Sequence, residues 1–282
     1  MTTIAVLLAT FNRRDKTVSC LESLFAQNLP EEVSFSVFLT DDASSDGTPD
    51  AIAKNFPTVN IFAGSGSLFW AGGMRNSWSA AQQTDPDFYL LLNDDTILVA
   101  NALTGLLGYS SNTKNQVQAI VIGTTQDNGT GEISYGGHRL FNKNKVQNYN
   151  VRSDTEFVEC DLANANIMLV PRAIVNKIGI LSGAYTHSIA DFDYTLTANK
   201  KGFKVVVAPG ILGYCVDDHG NNWKSANVSL KDRIKYLKSP KGLAYNEYLK
   251  FIKRHFPTHF PASFLKLWMK TLFPMLWDKF KV

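Results

Sequence analysis

Two adjacent carboxylates, Asp94 and Asp95, follow directly on a short apolar segment, residues 88–92. A short apolar segment followed by polar residues is typical of a buried strand that ends at the edge of a sheet. Because neighbouring side chains of a strand point to opposite faces, we expect the two carboxylates to have different roles. One could bind a hydroxyl group or a water, and the other a divalent cation that carries a diphosphate, since hard cations prefer oxygen ligands. The alternative is that residues 93–96 are a turn with an Asx cap.

Two further polar clusters occupy equivalent positions along the chain. Thr10 follows an apolar segment at residues 4–9, and Asp41 and Asp42 follow another at residues 35–40. Helical spacing of apolar residues predicts helices at 15–27 and 49–55, and a third strand is expected at 59–63. This alternation predicts an α/β fold with a parallel sheet and helices on both faces. Ligands bind beyond the carboxyl ends of the strands in such sheets, so the three clusters predict one site.

A glycine-rich segment, residues 64–76, follows the third predicted strand. Its free N–H groups could approach a phosphate, and Arg75, just inside the next helix, suits bidentate phosphate contact. The segment lacks the lysine of a Walker loop and the G-x-G-x-x-G spacing, so it is neither of those motifs. The alternative is a flexible connection without a ligand.

The second half of the chain predicts more sheet, in part antiparallel, with polar loops at 124–131 and 142–150. Asp191 and Asp193 stand at the start of a helix predicted to continue to Lys201. One of them could be a general base. The alternative is that both carboxylates only cap the helix N-terminus, where the helix dipole stabilises negative charge. His219, in a polar cluster at 217–222, is a candidate metal ligand or an ordinary loop residue.

The segments 4–13, 39–48 and 92–96 together resemble inverting family 2 glycosyltransferases of GT-A fold. The resemblance covers roughly residues 4 to 222, and is strongest to rhamnosyltransferase-like bacterial members that build surface polysaccharide such as lipopolysaccharide. It implies a Rossmann-like, mostly parallel mixed sheet flanked by helices. It also implies a hexosyl transfer from a UDP- or dTDP-sugar to a hydroxyl of a glycan or a lipid-linked glycan.

The resemblance implies a nucleotide pocket at the ends of the first strands. In it Asp42 hydrogen-bonds the pyrimidine base, Arg75 lies near the diphosphate and Asp94 faces the ribose. The other nucleotide-binding residues that it implies are Thr10, Phe11, Arg13, Gly73 and Asn93. Trp70 is expected on the acceptor side.

The resemblance also implies a metal site and a catalytic base. Residues 93–95 take the place of the DxD motif, so that Asp95 holds Mn²⁺ or Mg²⁺ and His219 completes the metal site. Asp191 matches the catalytic base, with Asp193 in reserve, and Ala190 stands where the family has glutamate. The implied reaction is a single inverting displacement in which Asp191 takes the proton of the acceptor hydroxyl.

Two alternatives belong to other classes of protein. A sugar nucleotidyltransferase also uses a parallel sheet and carboxylate-bound metal, but should have a glycine-rich basic loop after the first strand, where this chain has residues 10–13 without glycine. A non-catalytic glycosyltransferase-like scaffold would not release a nucleotide from a donor. No nucleic acid partner is expected.

The chain has 282 residues and a net charge of +3 that is unevenly distributed. Residues 231–282 contain twelve basic and three acidic residues, interleaved with Trp and Phe, whereas the rest of the chain is acidic. We therefore divide the chain into a catalytic domain, 1–228, and a basic, aromatic-rich helical segment, 229–282. This segment suits peripheral contact with a membrane, packing on its own domain, or a homodimer contact.

Three sparse cysteines and the lack of a basic, apolar leader predict reduced thiols and a cytoplasmic protein, at most peripheral on the inner membrane. No segment approaches the roughly 20 apolar residues that span a bilayer.

Overall fold

The computed structural model describes residues 1–112, 118–216 and 228–275. The strands are β1 (Thr2–Thr10), β2 (Val33–Asp41), β3 (Asn60–Ala63), β4 (Phe88–Leu92), β5 (Ile97–Leu98), β6 (Ala119–Gln126), β7 (Ile133–Tyr135), β8 (Gly137–Leu140), β9 (Asn148–Val151), β10 (Val158–Glu159), β11 (Leu162–Ala163), β12 (Ile167–Pro171) and β13 (Lys204–Tyr214). The helices are α1 (Arg14–Phe25), α2 (Thr48–Asn55), α3 (Phe69–Ala81), α4 (Ala102–Asn112), α5 (Arg172–Ile178), α6 (Ala190–Lys200), α7 (Leu230–Lys238), α8 (Tyr245–His255) and α9 (Phe260–Leu272).

The central sheet has the strand order β10-β13-β6-β12-β4-β1-β2-β3. Strands β3, β2, β1 and β4 run parallel to one another, whereas β12 runs antiparallel to both β4 and β6. The predicted strand–helix alternation and the antiparallel portion are both confirmed. Because β1, β2 and β4 are parallel, the polar residues that follow them meet at one edge of the sheet.

Both faces of the sheet are covered by helices. Apolar side chains of β1 alternate between two core clusters: Leu7 packs with Trp78 of α3, and Leu8 with Leu21 of α1. Strands that are buried on both faces read as continuous apolar runs, which is why the sequence pattern predicted them.

A second, small sheet in the order β11-β8-β9 differs from the sequence prediction. The polar loop expected at 142–150 ends in strand β9, which pairs antiparallel with β8, and the loop expected at 124–131 begins only after β6 ends at Gln126. Cross-strand pairing, which local composition does not encode, overrides the low strand propensity of these residues.

The C-terminal helices pack on the α/β body. Phe251, Ile252 and Phe256, in and just after α8, belong to the same core cluster as Trp78 and Tyr194. Among the described residues, no helix is long and apolar enough to cross a membrane.

Candidate active site

Arg13 bridges the two carboxylates that follow β4. Its Nη1 donates to Asp95 Oδ2 at 2.6 Å and to Asp94 Oδ1 at 3.2 Å. Lys16 Nζ lies 3.9 Å from the same Asp95 oxygen. Since β1 and β4 are neighbouring parallel strands, the loop after β1 reaches the end of β4 directly. The arrangement places two basic groups beside two acidic groups at one sheet edge.

The loop after β1 is also tied to the loop after β2. Asn12 adopts a left-handed backbone conformation (φ 52°), its N–H donates to Ser44 Oγ at 2.8 Å, and its Oδ1 accepts from Ser45 N at 2.7 Å.

Thr10 is buried, with its Oγ1 2.8 Å from Thr17 Oγ1. Phe11 is exposed, and Lys241 Nζ lies 5.9 Å from its ring centroid. These contacts leave the Phe11 ring on the outer rim of the two loops.

Asp42 organises the glycine-rich segment. Its Oδ1 accepts from Gly66 N at 2.7 Å, and its Oδ2 accepts from Leu68 N at 2.8 Å and Phe69 N at 3.1 Å. A side chain at Gly64 would come within 2.6 Å of Asp42 Oδ1, so only glycine fits there. In this structure both carboxylate oxygens of Asp42 therefore hold the loop that leads into α3, and its contact with a pyrimidine base stays a prediction.

Helix α3 lies close against the end of β1. A Cβ at Gly73 would be 2.6 Å from Ala9 Cβ, so the glycine permits this close approach. The helix also contacts the end of β4, because Trp70 Nε1 donates to Asn93 Oδ1 at 2.8 Å. Gly73 thus positions the helix, and Trp70 connects it to the Asn93-Asp94-Asp95 segment. The predicted nucleotide contact of Gly73 and the acceptor-side role of Trp70 stay predictions.

Arg75 contacts protein carbonyls. Its Nη1 donates to Ser182 O at 3.0 Å and to Tyr185 O at 2.8 Å, and burial lowers the pKa of the guanidinium. Arg75 therefore holds the loop that precedes α6, and its predicted position near a diphosphate stays a prediction.

Asp191 lies in the first turn of α6, beside the residues that precede the start of β12. Its Oδ2 accepts from Ala165 N at 3.2 Å and its Oδ1 from Phe192 N at 2.8 Å. The next residue, Asn166, accepts from Asn93 N at 3.1 Å through its backbone carbonyl. The helix N-cap is Ile189, which makes no side-chain cap, and Asp191 lies in the first turn, where the helix dipole stabilises its negative charge. A short chain of hydrogen bonds thus connects Asp191 with the segment that carries Asp94 and Asp95.

Asp193 is enclosed by protein groups. Its Oδ1 accepts from Tyr185 Oη at 2.9 Å and lies 2.7 Å from His255 Nε2, and its Oδ2 accepts from Arg254 Nη1 at 3.0 Å. Asp193 is 2% exposed. These partners give Asp193 a structural role in joining α6 to α8.

A comparison with models of protein families favours the glycosyltransferase class over the nucleotidyltransferase class. The sequence model described as glycosyl transferase family 2 matches residues 5–165, which is more than half of the chain. The chain belongs to glycosyl transferase family 2. A search of curated proteins with this sequence found no match.

Solved structures share the GT-A fold with this family 2 chain at low identity. Mannosyltransferase PcManGT from Pyrobaculum calidifontis, in complex with GDP-Man and Mn²⁺, is 14% identical with a TM-score of 0.57, over 78% of this chain and 59% of that one. S. aureus TarS 1-349, in complex with UDP-GlcNAc, is 18% identical with a TM-score of 0.57, over 91% of this chain and 73% of that one. This chain thus spans less than two thirds of the mannosyltransferase.

Two carboxyl groups of the family 2 chain are costly to ionise. Burial raises the pKa of Asp94 to about 6, with Asp95 adding repulsion and Arg13 opposing the shift. Burial also raises the pKa of Asp191 to about 6, although hydrogen bonds from the N–H groups of Phe192 and Ala165 lower this pKa in part. Carboxyl groups with a pKa near the working pH suit proton transfer, and Asp191 is the one without a basic partner in contact with it among the described residues.

The carboxylates after β4 could bind a divalent cation that arrives with a diphosphate. Within residues 1–112, 118–216 and 228–275, no group of three or more His, Cys, Asp or Glu could hold an ion. Asp95 nevertheless offers a carboxylate that is 12% exposed beside Asp94. Magnesium-like ions are commonly held by one or two carboxylates together with substrate phosphates. The predicted second ligand, His219, lies outside the described residues.

Several contacts at the site were not predicted from the sequence. Lys16, one turn after Arg13 in α1, faces Asp95, and an i, i+3 search for basic residues after the first strand would have found it. Glu247 of α8 accepts from Thr186 N at 3.0 Å and also binds the Thr186 hydroxyl. No local signal pairs Glu247 with a loop 61 residues earlier. The C-terminal segment therefore supports the loop before α6.

Proposed function

We propose that this chain transfers a hexosyl group from a UDP- or dTDP-sugar to a hydroxyl of a glycan or lipid-linked glycan, with inversion at the anomeric carbon. The observation that carries the proposal is the hydrogen-bonded connection from Asp191 through Ala165–Asn166 to Asn93. It supports a single cleft in which a base at Asp191 and a donor held beside Asp94 and Asp95 could meet. The family membership and the nucleotide sugars bound by similar structures support the same reaction class.

In the proposed reaction Asp191 is the general base. The acceptor oxygen attacks the anomeric carbon on the face opposite the nucleotide, Asp191 takes the hydroxyl proton, and the bond from that carbon to the diphosphate oxygen breaks. Both electrons of that bond leave with the nucleoside diphosphate. Because one displacement occurs, the anomeric configuration inverts without a covalent intermediate.

Basic side chains offset the charge of the departing diphosphate. Arg13 and Lys16 stand beside Asp95, where they can contribute to electrostatic stabilisation of the leaving group. A divalent cation held by Asp95 would neutralise further diphosphate charge when bound. The Mn²⁺ in the mannosyltransferase complex supports manganese as the ion to test first.

The biological setting that we propose is bacterial surface polysaccharide synthesis of the rhamnosyltransferase-like kind, at the cytoplasmic face of the inner membrane. It rests on the sequence resemblance. The acceptor class is proposed with it, because the basic, aromatic C-terminal segment is compatible with a lipid-linked acceptor.

A donor screen followed by product stereochemistry tests the function. UDP- and dTDP-sugars are first screened for thermal stabilisation of the chain with and without Mn²⁺, and the best donor is incubated with glycan acceptors. An α-linked donor is expected to give a β-linked product, read from the anomeric proton coupling by NMR. A retained α linkage would contradict a single displacement, and donor binding without any nucleotide release would favour the non-catalytic scaffold.

A further inference from the structure

Helix α9 exposes its more apolar side. The residues that it buries are Ser263, Leu267 and Thr271, two of which carry hydroxyl groups. Large apolar side chains that are 40% to 72% exposed in α9 and the three residues after it are Phe264, Leu265, Met269, Leu272, Phe273 and Met275. An amphipathic helix on the surface of a protein that is soluble on its own has the opposite arrangement.

The exposed apolar side chains within α9 form a strip along the helix. Leu265, Met269 and Leu272 are spaced i, i+4 and i+7, so they lie above one another on the same helix face. Phe264 widens the strip on one side. Contiguous apolar surface of this kind marks an interaction site, whereas single exposed apolar residues do not.

Contacts with α8 fix α9 in this orientation. Trp268 Nε1 donates to Tyr245 Oη at 3.0 Å, and the two rings pack edge to face with centroids 5.8 Å apart. The buried Thr271 hydroxyl donates to Leu267 O at 2.8 Å, so it is satisfied within the helix. The apolar strip is therefore presented by a packed helix.

The charge around the strip selects an anionic partner. Residues 228–275 contain ten Lys or Arg and two Asp or Glu. Lys266 and Lys270 lie within α9 itself, next to the strip. Long lysine side chains can cover apolar surface with their stems while the ammonium group reaches lipid headgroups. A second copy of this chain would bring the same positive charge against itself, since a twofold interface joins like patches.

We propose that α9 and the residues up to Met275 lie in the interface of an anionic lipid bilayer. The strip enters the boundary between headgroups and acyl chains, and the lysines contact the headgroups. Because α8 also holds Asp193 and Thr186, through Arg254, His255 and Glu247, the bound surface has a defined position relative to α6. This inference does not depend on the reaction proposed above.

Vesicle cosedimentation with the full chain tests the inference. Wild-type protein is expected to bind phosphatidylglycerol/phosphatidylcholine vesicles at least about tenfold more strongly than pure phosphatidylcholine, and to lose binding as salt screens the charge. The double variant Leu265→Glu/Met269→Glu is expected to lose at least about tenfold in binding. The matched control is Phe141→Glu, which changes an equally large exposed apolar residue on the β8–β9 hairpin and should bind like wild type. Circular dichroism verifies that each variant is folded.

Three results would overturn the inference: no binding of wild type to anionic vesicles, equal binding of the double variant, or equal loss in Phe141→Glu. Sedimentation velocity adds a fourth, because a wild-type dimer that the double variant converts to monomer, without vesicle binding, would assign the strip to a second copy. The variant Asp191→Asn should bind vesicles normally, so failure of the proposed chemistry and failure of the membrane surface give different results.

Discussion

Arg13 Nη1 lies 2.6 Å from Asp95 Oδ2 and so occupies an oxygen of the carboxylate to which we assign the metal. The guanidinium and a divalent cation would compete for the same negative charge, although the other oxygen, Asp95 Oδ1, accepts from the weak donor Cys215 Sγ at 3.5 Å. The Arg13 side chain is 40% exposed, so solvent can take up the guanidinium when a cation displaces it from Asp95.

Replacement of Arg13 tests this competition. Arg13→Ala removes the resident cation, and Mn²⁺ is expected to bind at least about fivefold more tightly when no nucleotide is present. Isothermal titration calorimetry measures the affinity. Arg14→Ala is the matched control, because Arg14 pairs with the exposed Asp15 and should leave Mn²⁺ affinity unchanged. Weaker Mn²⁺ binding in Arg13→Ala would mean that Arg13 shapes the carboxylates for the ion.

The rate of transfer should fall in acid. Burial raises the pKa of Asp191 to about 6, and a general base acts only when it is ionised. Below pH 6, kcat is expected to decrease about tenfold per pH unit, with a plateau above pH 7. The donor and the acceptor are kept at saturating concentrations, so that the pH profile of kcat does not reflect substrate binding. A rate that is flat from pH 8 to pH 5 would remove Asp191 from the role.

The contribution of Asp191 to the free energy of unfolding should have the opposite pH dependence to the rate. The folded-state pKa of Asp191 lies above its unfolded value, so the protonated carboxyl favours folding. This contribution is present below about pH 4 and is lost as the pH rises to about 6. Asp191→Asn cannot ionise, so its free energy of unfolding relative to wild type should improve by up to about 3 kcal/mol between pH 4 and pH 7.5. Urea unfolding at both pH values measures the change, and a relative stability that does not vary with pH would contradict the burial argument.

The sequence predicted the parts of this site that depend on local pattern. The apolar segments that precede Thr10, Asp41 and Asp94 are strands β1, β2 and β4 of one sheet, because continuous apolar runs mark buried strands. Their meeting at one edge followed from the parallel alternation. Asp94 and Asp95 themselves lie in a turn after β4, closed by Thr96 N donating to Asn93 O at 3.1 Å, so the turn considered as an alternative for residues 93–96 is present. The sequence also predicted that Asp191 lies at the start of its helix, where the helix dipole stabilises a carboxylate, and Asp191 is in the first turn of α6.

Contacts between distant segments could not be predicted in the same way. Asp42 binds N–H groups 24 to 27 residues later, and Asp193 binds Arg254, which is 61 residues later. Their amino-acid types indicate charge but not partner. Arg13 is an intermediate case, because the two neighbouring strand ends and opposite charges could have paired it with Asp94 and Asp95 before the structure was known.

Asp193 should matter for folding rather than for chemistry. Asp193→Asn removes the buried carboxylate that binds the buried His255 and the half-exposed Arg254, and we expect a loss of about 2–4 kcal/mol in the free energy of unfolding. Asp154→Asn breaks an exposed pair with Arg152 and should change stability by less than about 0.5 kcal/mol. Urea denaturation of both variants makes the comparison. Equal stability of the two variants would show that Asp193 is not held as described.

The separation of binding from transfer in Asp191→Asn tests the account most directly. Donor affinity is measured by calorimetry and transfer by release of nucleoside diphosphate in the presence of acceptor, with wild type measured in parallel. We predict that the variant binds the donor within about twofold of wild type, while kcat falls by about 10²- to 10⁴-fold, the range that a positioned base contributes. Transfer at the wild-type rate by Asp191→Asn would contradict the account.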